Sequence, residues 1–284
     1  MVPRGGQRSG DSRKRGGTPM SAAGPPAPVT AAGFDLKRIE EAGLNALQTQ
    51  RQLFYDGWLL RISPGKAKRA RSVNAHFGST LPLADKIAHC ERIYAQHGLA
   101  PLFRMTPFNQ PSNLEDALAE RGYVAFEPTL VQALTLEAAP DVATPDDDVM
   151  VTTPDARAFV DAAGELREST AQQRDAHYER LSNSPLGKRF VSVHAGGRVV
   201  CTAQVAVDGA LAGLFDVVTA EDARGRGYAT LACASLLSWA WQHGAHVAYL
   251  QVSADNTPAL AIYRKFGFAT VYAYHYRGRP GECE

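Results

Sequence analysis

The stretch 211–268 reads as strand, glycine-broken turn, long helix, strand and short helix, and that order leaves few folds open. The turn is Arg224-Gly225-Arg226-Gly227-Tyr228-Ala229. The apolar run 229–241 behind it is too short to span a bilayer and is broken by Ser235 and Ser238, so it reads as a buried helix that Gly244 stops. A strand over 247–252 follows, then a helix opening at Asn256, with Pro258 in its first turn, Tyr263 within it and Gly267-Phe268 closing it. A strand that enters a helix through such a turn presents unpaired backbone N–H groups at the positive end of the helix dipole. Gly225 and Gly227 carry no Cβ, so a ligand can come close to the backbone, and Arg224 and Arg226 add positive field. This is a place for a phosphate or pyrophosphate.

The rest of the chain sets limits. Residues 1–33 are rich in Gly, Pro, Ser, Ala and Arg without apolar periodicity, and read as a disordered tail with no secretory signal. The segment 138–148 holds Pro140, Pro145 and the acidic run Asp146-Asp147-Asp148, and reads as a linker. A degenerate unit over 34–137 and a second unit over 149–284 result. In the first, the patterns predict helices over 35–52, 82–97 and 113–121, and strands over 58–62, 72–77, 102–105 and 123–136. In the second, helical stretches fill 154–184, and strands over 190–194, 199–207 and 211–219 are joined at Gly196-Gly197 and Asp208-Gly209. A last strand covers 269–276.

The two units can be laid over each other without a gap for some sixty residues. Gly122 then faces Gly267, and Tyr123 faces Phe268. Opposite Arg224, Gly225, Arg226 and Gly227 stand Ser79, Thr80, Leu81 and Pro82, and opposite Tyr263 stands Leu118. The first copy has neither the phosphate turn nor the phenol.

Bulk properties exclude several classes. A net charge of +1 gives no global reason for a nucleic-acid or membrane partner. Cys90, Cys201, Cys233 and Cys283 form no C-x-x-C pair, which points to reduced thiols in a cytoplasmic protein, with no metal site. A nicotinamide-binding turn is the rival reading of Gly225-x-Gly227. Against it, Thr230 holds the third glycine position, Asp255 comes late for a ribose-binding acid, and antiparallel hairpins precede the turn.

These residues resemble the GCN5-related N-acetyltransferase family. Arg224, Gly227 and Ala229 satisfy its Arg/Gln-x-x-Gly-x-Gly/Ala pattern, and Asn256, Ala259, Tyr263, Gly267 and Phe268 match its Asn-x-x-Ala…Tyr…Gly-Phe segment. The resemblance is specific over 211–276 and weaker back to residue 149. It implies an α/β (α+β) fold of two such units in tandem, each a mixed, mostly antiparallel sheet flanked by helices. It implies acetyl-CoA as co-substrate and a primary amine, small molecule or peptide, as acceptor. The backbone of Val217, Val218 and Thr219 would pair with the pantetheine arm, and Gly225, Arg226, Gly227, Tyr228, Ala229 and Thr230, with Arg224, would hold the pyrophosphate. Asn256 would contact the pantetheine or its surroundings, and Tyr263 would face the sulfur and protonate the leaving thiolate. A general base is not assigned: Asp216, Glu168, His177 and a water chain all compete. A non-catalytic acyl-CoA sensor is the alternative from another class, and homodimerisation is left open.

Overall fold

The structure is a computed structural model that describes residues 30–31, 33–63 and 67–282. The expected tail therefore lies outside the described residues, apart from its last few positions, and so does Cys283. A small hairpin, β1 (Thr30–Ala31) with β2 (Phe34–Asp35), leads into α1 (Leu36–Ala46), whose first turn the Asp35 carboxylate caps at the Arg38 N–H, 3.2 Å away. Then come β3 (Arg51–Tyr55), β4 (Trp58–Ile62), β5 (Ser72–Asn74), α2 (Leu83–Gln96), β6 (Leu102–Met105), α3 (Leu114–Glu120) and β7 (Val124–Thr135). The second half follows as β8 (Val149–Thr152), α4 (Ala156–Leu166), α5 (Ala171–Ser182), β9 (Gly187–Ala195), β10 (Arg198–Asp208), β11 (Leu211–Thr219), α6 (Tyr228–Gln242), β12 (Val247–Ser253), α7 (Thr257–Phe266) and β13 (Ala269–Gly278).

Strands β3 to β13 form one continuous sheet in the order β3-β4-β5-β6-β13-β7-β12-β11-β10-β9-β8. The halves are not stacked side by side; they exchange their last strands. β13 lies between β6 and β7, and β7 lies between β13 and β12. The only parallel pairs among the described strands are β5 with β6 and β11 with β12, one in each half. The repeat seen in the sequence is also kept in its helix stops. Gly122 and Gly267 both have positive φ (79° and 92°), and the next residue bonds back in the same way. The Tyr123 N–H donates to the Leu118 carbonyl, and the Phe268 N–H to the Tyr263 carbonyl.

The structure refines the sequence reading at four places. The first helix stops at Ala46, because residues 51–55 are drawn into a hairpin with β4 through the turn at Asp56-Gly57. The strand expected over 72–77 ends at Asn74. The helical stretch 154–184 is two helices, parted at Glu168 (φ 51°) and restarted by a capping box between Thr170 and Gln173. Residues 149–152 form an edge strand beside β9, a pairing no local pattern announces.

Helices cover both faces. α6 packs Ala232, Cys233, Leu236 and Leu237 against Leu214 and Leu250 on one face. On the other, α1 packs Ile39, Ala42 and Ala46 against Phe215, Tyr249 and Tyr272. α4 and α5 share a smaller cluster of Phe159, Val160 and Leu181 with Phe190. In the first half α2 and α3 enclose Trp58, Ile87, Tyr94 and Phe103. Cys90, Cys201 and Cys233 are buried free thiols. Among the described residues no helix is long and apolar enough to cross a membrane.

One buried ion pair joins α1 to the exchanged strands. Glu40 of α1 accepts two hydrogen bonds from Arg104 of β6, one at 3.0 Å, and a third from the Tyr272 hydroxyl of β13 at 2.6 Å. The Arg104 guanidinium lies over the Tyr274 ring at 3.8 Å. Burial pushes the Glu40 carboxyl up, but the charge of Arg104 and the hydrogen bonds from His76 and Arg104 outweigh it and hold the carboxyl well below its ordinary value. Glu40→Gln leaves Arg104 buried without its counter-charge and should cost about 3–5 kcal/mol in urea unfolding. The folded-state carboxyl titrates below its unfolded value. Its contribution is therefore complete above the ordinary glutamate pKa of about 4.3 and is lost as the pH falls below it, so acid unfolding should begin at higher pH in a Glu40→Asp variant with a weaker pair.

Candidate active site

β11 does not keep its partner to the end. Its parallel ladder with β12 covers 211–214 against 247–250 and stops there, while β12 stays paired with β7 along its other edge from 247 to 253. On its other edge β11 carries a bulge. Gln204 pairs with Phe215 and Thr202 with Val218, so β11 holds one extra residue, and Asp216 takes φ 51°. The two strands part beyond the bulge, and the backbone of Val217, Val218 and Thr219 borders a cleft on the β12 side.

The cleft has a volume of about 410 Å3. Val217, Val218, Thr219, Arg224, Gly225, Gly227, Tyr228, Ala229, Thr230, Asn256 and Tyr263 all line it. Of the residues expected to contact acetyl-CoA, Arg226 alone is not on this wall; it lines an adjoining cavity with Asp146 and Lys265. Sequence reasoning passed over Pro258, Ile262 and Lys265, which also line the cleft. Ile262 follows from helical spacing, but nothing local marks Lys265.

Each element is placed for a physical reason. Gly225 (φ 78°) and Gly227 (φ 85°) hold left-handed backbone, and a Cβ at either would meet nothing within 4 Å, so the demand there is conformational and not steric. Gly227 is the N-cap of α6 and has no side chain with which to satisfy the first amides; the first bond of the helix runs from the Leu231 N–H to the Gly227 carbonyl. Asn256 caps α7, accepting from the Ala259 N–H at 3.2 Å. Tyr263 is buried, edge-on to Phe268 with ring centroids 6.0 Å apart. Burial pushes its phenol up, so it stays protonated at neutral pH and keeps a proton to donate.

In the first half the turn that leads into the matching helix, α2, is already occupied. The Asp56 carboxylate accepts from the Thr80 N–H at 3.0 Å, the Leu81 N–H at 2.9 Å and the Thr80 hydroxyl at 2.8 Å, and Lys86 pairs with it at 3.1 Å. The Leu81 N–H and the Thr80 donors hold this carboxyl below its ordinary value. The Phe77 N–H donates to the Gly57 carbonyl at 3.2 Å, and a Cβ on Gly57 would fall 2.4 Å from the Gly78 oxygen, so the β3–β4 turn is locked over this end of the helix. A carboxylate of the chain itself sits at the turn that corresponds to Gly225 and Arg226.

The three side chains that compete as general base do not fall together. Asp216 and His177 do, 3.0 Å apart, with Arg167 at 2.8 Å from the carboxylate and the Gln204 amide donating to it. Glu168 is exposed and takes no part in this cluster. Burial raises the Asp216 carboxyl, but Arg167 and His177 outweigh it and hold it well below the usual carboxylate range. It is therefore a weak proton acceptor. Arg167, the residue that holds it, went unnoticed in the sequence because only the break between α4 and α5 brings it there.

Comparison with known proteins bears on the family and the fold. The sequence model of the family described as "Probable histone acetyltransferase Rv0428c C-terminal" matches residues 34–277. The chain is similar to a Bacillus subtilis (strain 168) protein named "Uncharacterized N-acetyltransferase YobR", with 26% identity over 247 residues, covering 86% of this chain and 98% of that protein. Its fold is similar to that of a GCN5-related N-acetyltransferase from Kribbella flavida, with TM-score 0.64, 18% identity, and 86% and 95% of the two chains covered. A tandem GNAT protein from the clavulanic acid biosynthesis pathway aligns with TM-score 0.56 and 18% identity over 69% of this chain and 68% of that one. The chain belongs to the family named for the C-terminal part of the probable histone acetyltransferase Rv0428c, lies within the GCN5-related N-acetyltransferase superfamily, and is an acyltransferase.

Proposed function

We propose that the chain moves an acetyl group from acetyl-CoA to a primary amine by direct attack in a ternary complex, with the second half, 149–284, as the catalytic unit. The observation that carries this reading is the cleft in which the open strand edge at Val217, Val218 and Thr219, the uncapped start of α6 and the Tyr263 phenol meet. The strand edge pairs with the amides of the pantetheine arm. The amides of 225–230 grip the pyrophosphate, with Arg224 and Arg226 supplying positive field around it. Asn256 stands beside the arm.

The chemistry needs three services. The acceptor must lose a proton to become a neutral amine, the oxyanion formed on attack must be held, and the thiolate must be protonated as the C–S bond breaks. The Val218 N–H is assigned to the oxyanion and Tyr263 to the thiolate. A phenol that burial keeps protonated is suited to donate to a sulfur leaving as an anion. The ionised Asp216 is too weak a base for the first task, so the acceptor's proton leaves by a water path or with the amine already neutral. An acceptor, small molecule or peptide, is the one partner the reading requires. A reduced, cytoplasmic setting suits the buried free thiols.

Three outcomes test this reading. Tyr263→Phe should lower kcat about 100-fold while the calorimetric Kd for acetyl-CoA stays within about twofold, and equal turnover removes Tyr263 from the mechanism. Gly227→Ala forces an alanine into left-handed backbone, which should cost about 1 kcal/mol of stability and weaken acetyl-CoA more than tenfold by tilting the amides. Calorimetry should return one acetyl-CoA per chain, because Asp56 occupies the corresponding turn in the first half. A stoichiometry of two would show that the first half binds as well.

A further inference from the structure

The cluster around Asp216 contains more buried positive charge than Asp216 can neutralise. Lys188 of β9 pairs with Ala206 of β10, and Phe190 with Gln204, so Lys188, Phe190 and Gln204 share a face of the sheet. Ala206 packs in the same cluster as Phe215, the residue before Asp216, which puts Lys188 on the Phe215 side. The Lys188 Nζ is buried and hydrogen-bonds to nothing among the described residues, and the same is true of the Arg180 Nε. Arg180 uses its Nη1 to donate to the Ala176 carbonyl, 3.0 Å away, and so stays in place. A further cation, Arg69, comes from the first half and lies 5.6 Å from the Phe215 ring. Its Nη1 is also buried without a partner.

The Asp216 carboxylate is already matched by Arg167 and His177. Glu179, next to Arg180, is exposed, and no carboxylate lies within ion-pair distance of Arg180 or Lys188 among the described residues. Burial pulls Arg180 below its ordinary value and Lys188 down to about 8, in spite of the nearby Asp216 charge. Keeping unpaired cations out of water is costly, and a chain tolerates it where a ligand brings the counter-charge. Arg180 reaches a cavity of about 270 Å3 between the halves, with Ala176 and Glu179 of α5 and Asn183 beside it on one wall and Gln48, Arg51 and Ser63 on the other. The strand that carries Asp216 continues directly into Val217, Val218 and Thr219 of the proposed acetyl-CoA cleft.

We propose that the acetyl acceptor is a primary amine that also carries an anionic group, a carboxylate or a phosphate, and that Arg180 and Lys188 hold that group. The inference rests on the acetyl-transfer reading and narrows it. A lysine-rich peptide would bring more positive charge to a site that already has an excess, and like charges brought together on binding are penalised.

The test measures release of coenzyme A thiol from acetyl-CoA with matched amines: amino carboxylates and their amides, phosphorylated amines and their free alcohols, and a lysine-rich peptide. The anionic member of a pair should show kcat/KM at least tenfold above its neutral counterpart, and comparing the carboxylate and phosphate pairs tells which anion is preferred. Lys188→Met and Arg180→Met, checked for folding by thermal melts, should raise KM for the anionic amine about tenfold or more and bring the ratio within a pair toward one. The calorimetric Kd for acetyl-CoA should not change. As a second measurement, the unmodified chain should gain thermal stability from the anionic amine and not from its neutral counterpart. Equal use of both members of each pair, or the lysine-rich peptide as best acceptor, overturns the anionic-amine inference while acetyl-CoA binding stands. Absence of acetyl-CoA binding overturns the acetyl-transfer reading itself, and this inference with it.

Discussion

Each half of this chain completes the sheet of the other, and most of the structure follows from that exchange. β13 closes the first half against β6, and β7 closes the second against β12. Because residues 251–253 of β12 pair with β7, they stay in register after leaving β11. The gap on the far side of β12 is then stable, since its backbone groups are satisfied by a strand that belongs to the other half. A cleft needs one strand edge left open, and here the exchange holds the neighbouring strand in place. The Glu40–Arg104 pair, with Tyr272, fastens the α1 side of the same junction by joining a helix, a strand of the first half and a strand of the second.

The two helix starts show how one framework gives different capacities. Both α2 and α6 follow the second-last parallel strand of their half and begin with amides that need acceptors. Before α2 the amides of the turn, at Thr80 and Leu81, are taken up by Asp56, reinforced by Lys86, whose ammonium also lies 4.1 Å from the Trp58 ring centroid. In α6 the cap is a glycine and the amides face a cavity. The first half has thus kept the scaffold and filled the anion site with a side chain of its own, and its contribution lies elsewhere, in strand β7, in α1 and in the wall of the cavity beside Arg180.

Much of this was legible in the linear pattern. The turn at Gly225 and Gly227, the αL stops at Gly122 and Gly267, and the hairpin at Gly196-Gly197 are local demands on φ that few other residues meet, so the sequence announces them. The cleft-lining residues were found because a turn and a capped helix place them within a single supersecondary unit. What escaped notice depends on partners far along the chain. The first two residues of β3 fall within the helix that the pattern predicts over 35–52, because only the hairpin with β4 decides otherwise, and β8 is a strand only because β9 offers an edge. The grouping of Asp216 with Arg167 and His177 needs α4, α5 and the bulge in β11 at once.

By itself the sequence determined the elements whose conformations are set within about ten residues: the glycine turns, the helix caps at Asp35, Thr170 and Asn256, the buried helix α6, and the repeat that makes one half a variant of the other. Only the tertiary structure decided which strand lies beside which, that Asp56 fills the turn before one helix while the other turn stays open, and that the Arg180 Nε and the Lys188 Nζ are buried without a partner. The reason is range. Backbone dihedrals and caps are settled by near neighbours, whereas strand order, burial and the field at a charged group are sums over residues that only the folded chain brings together.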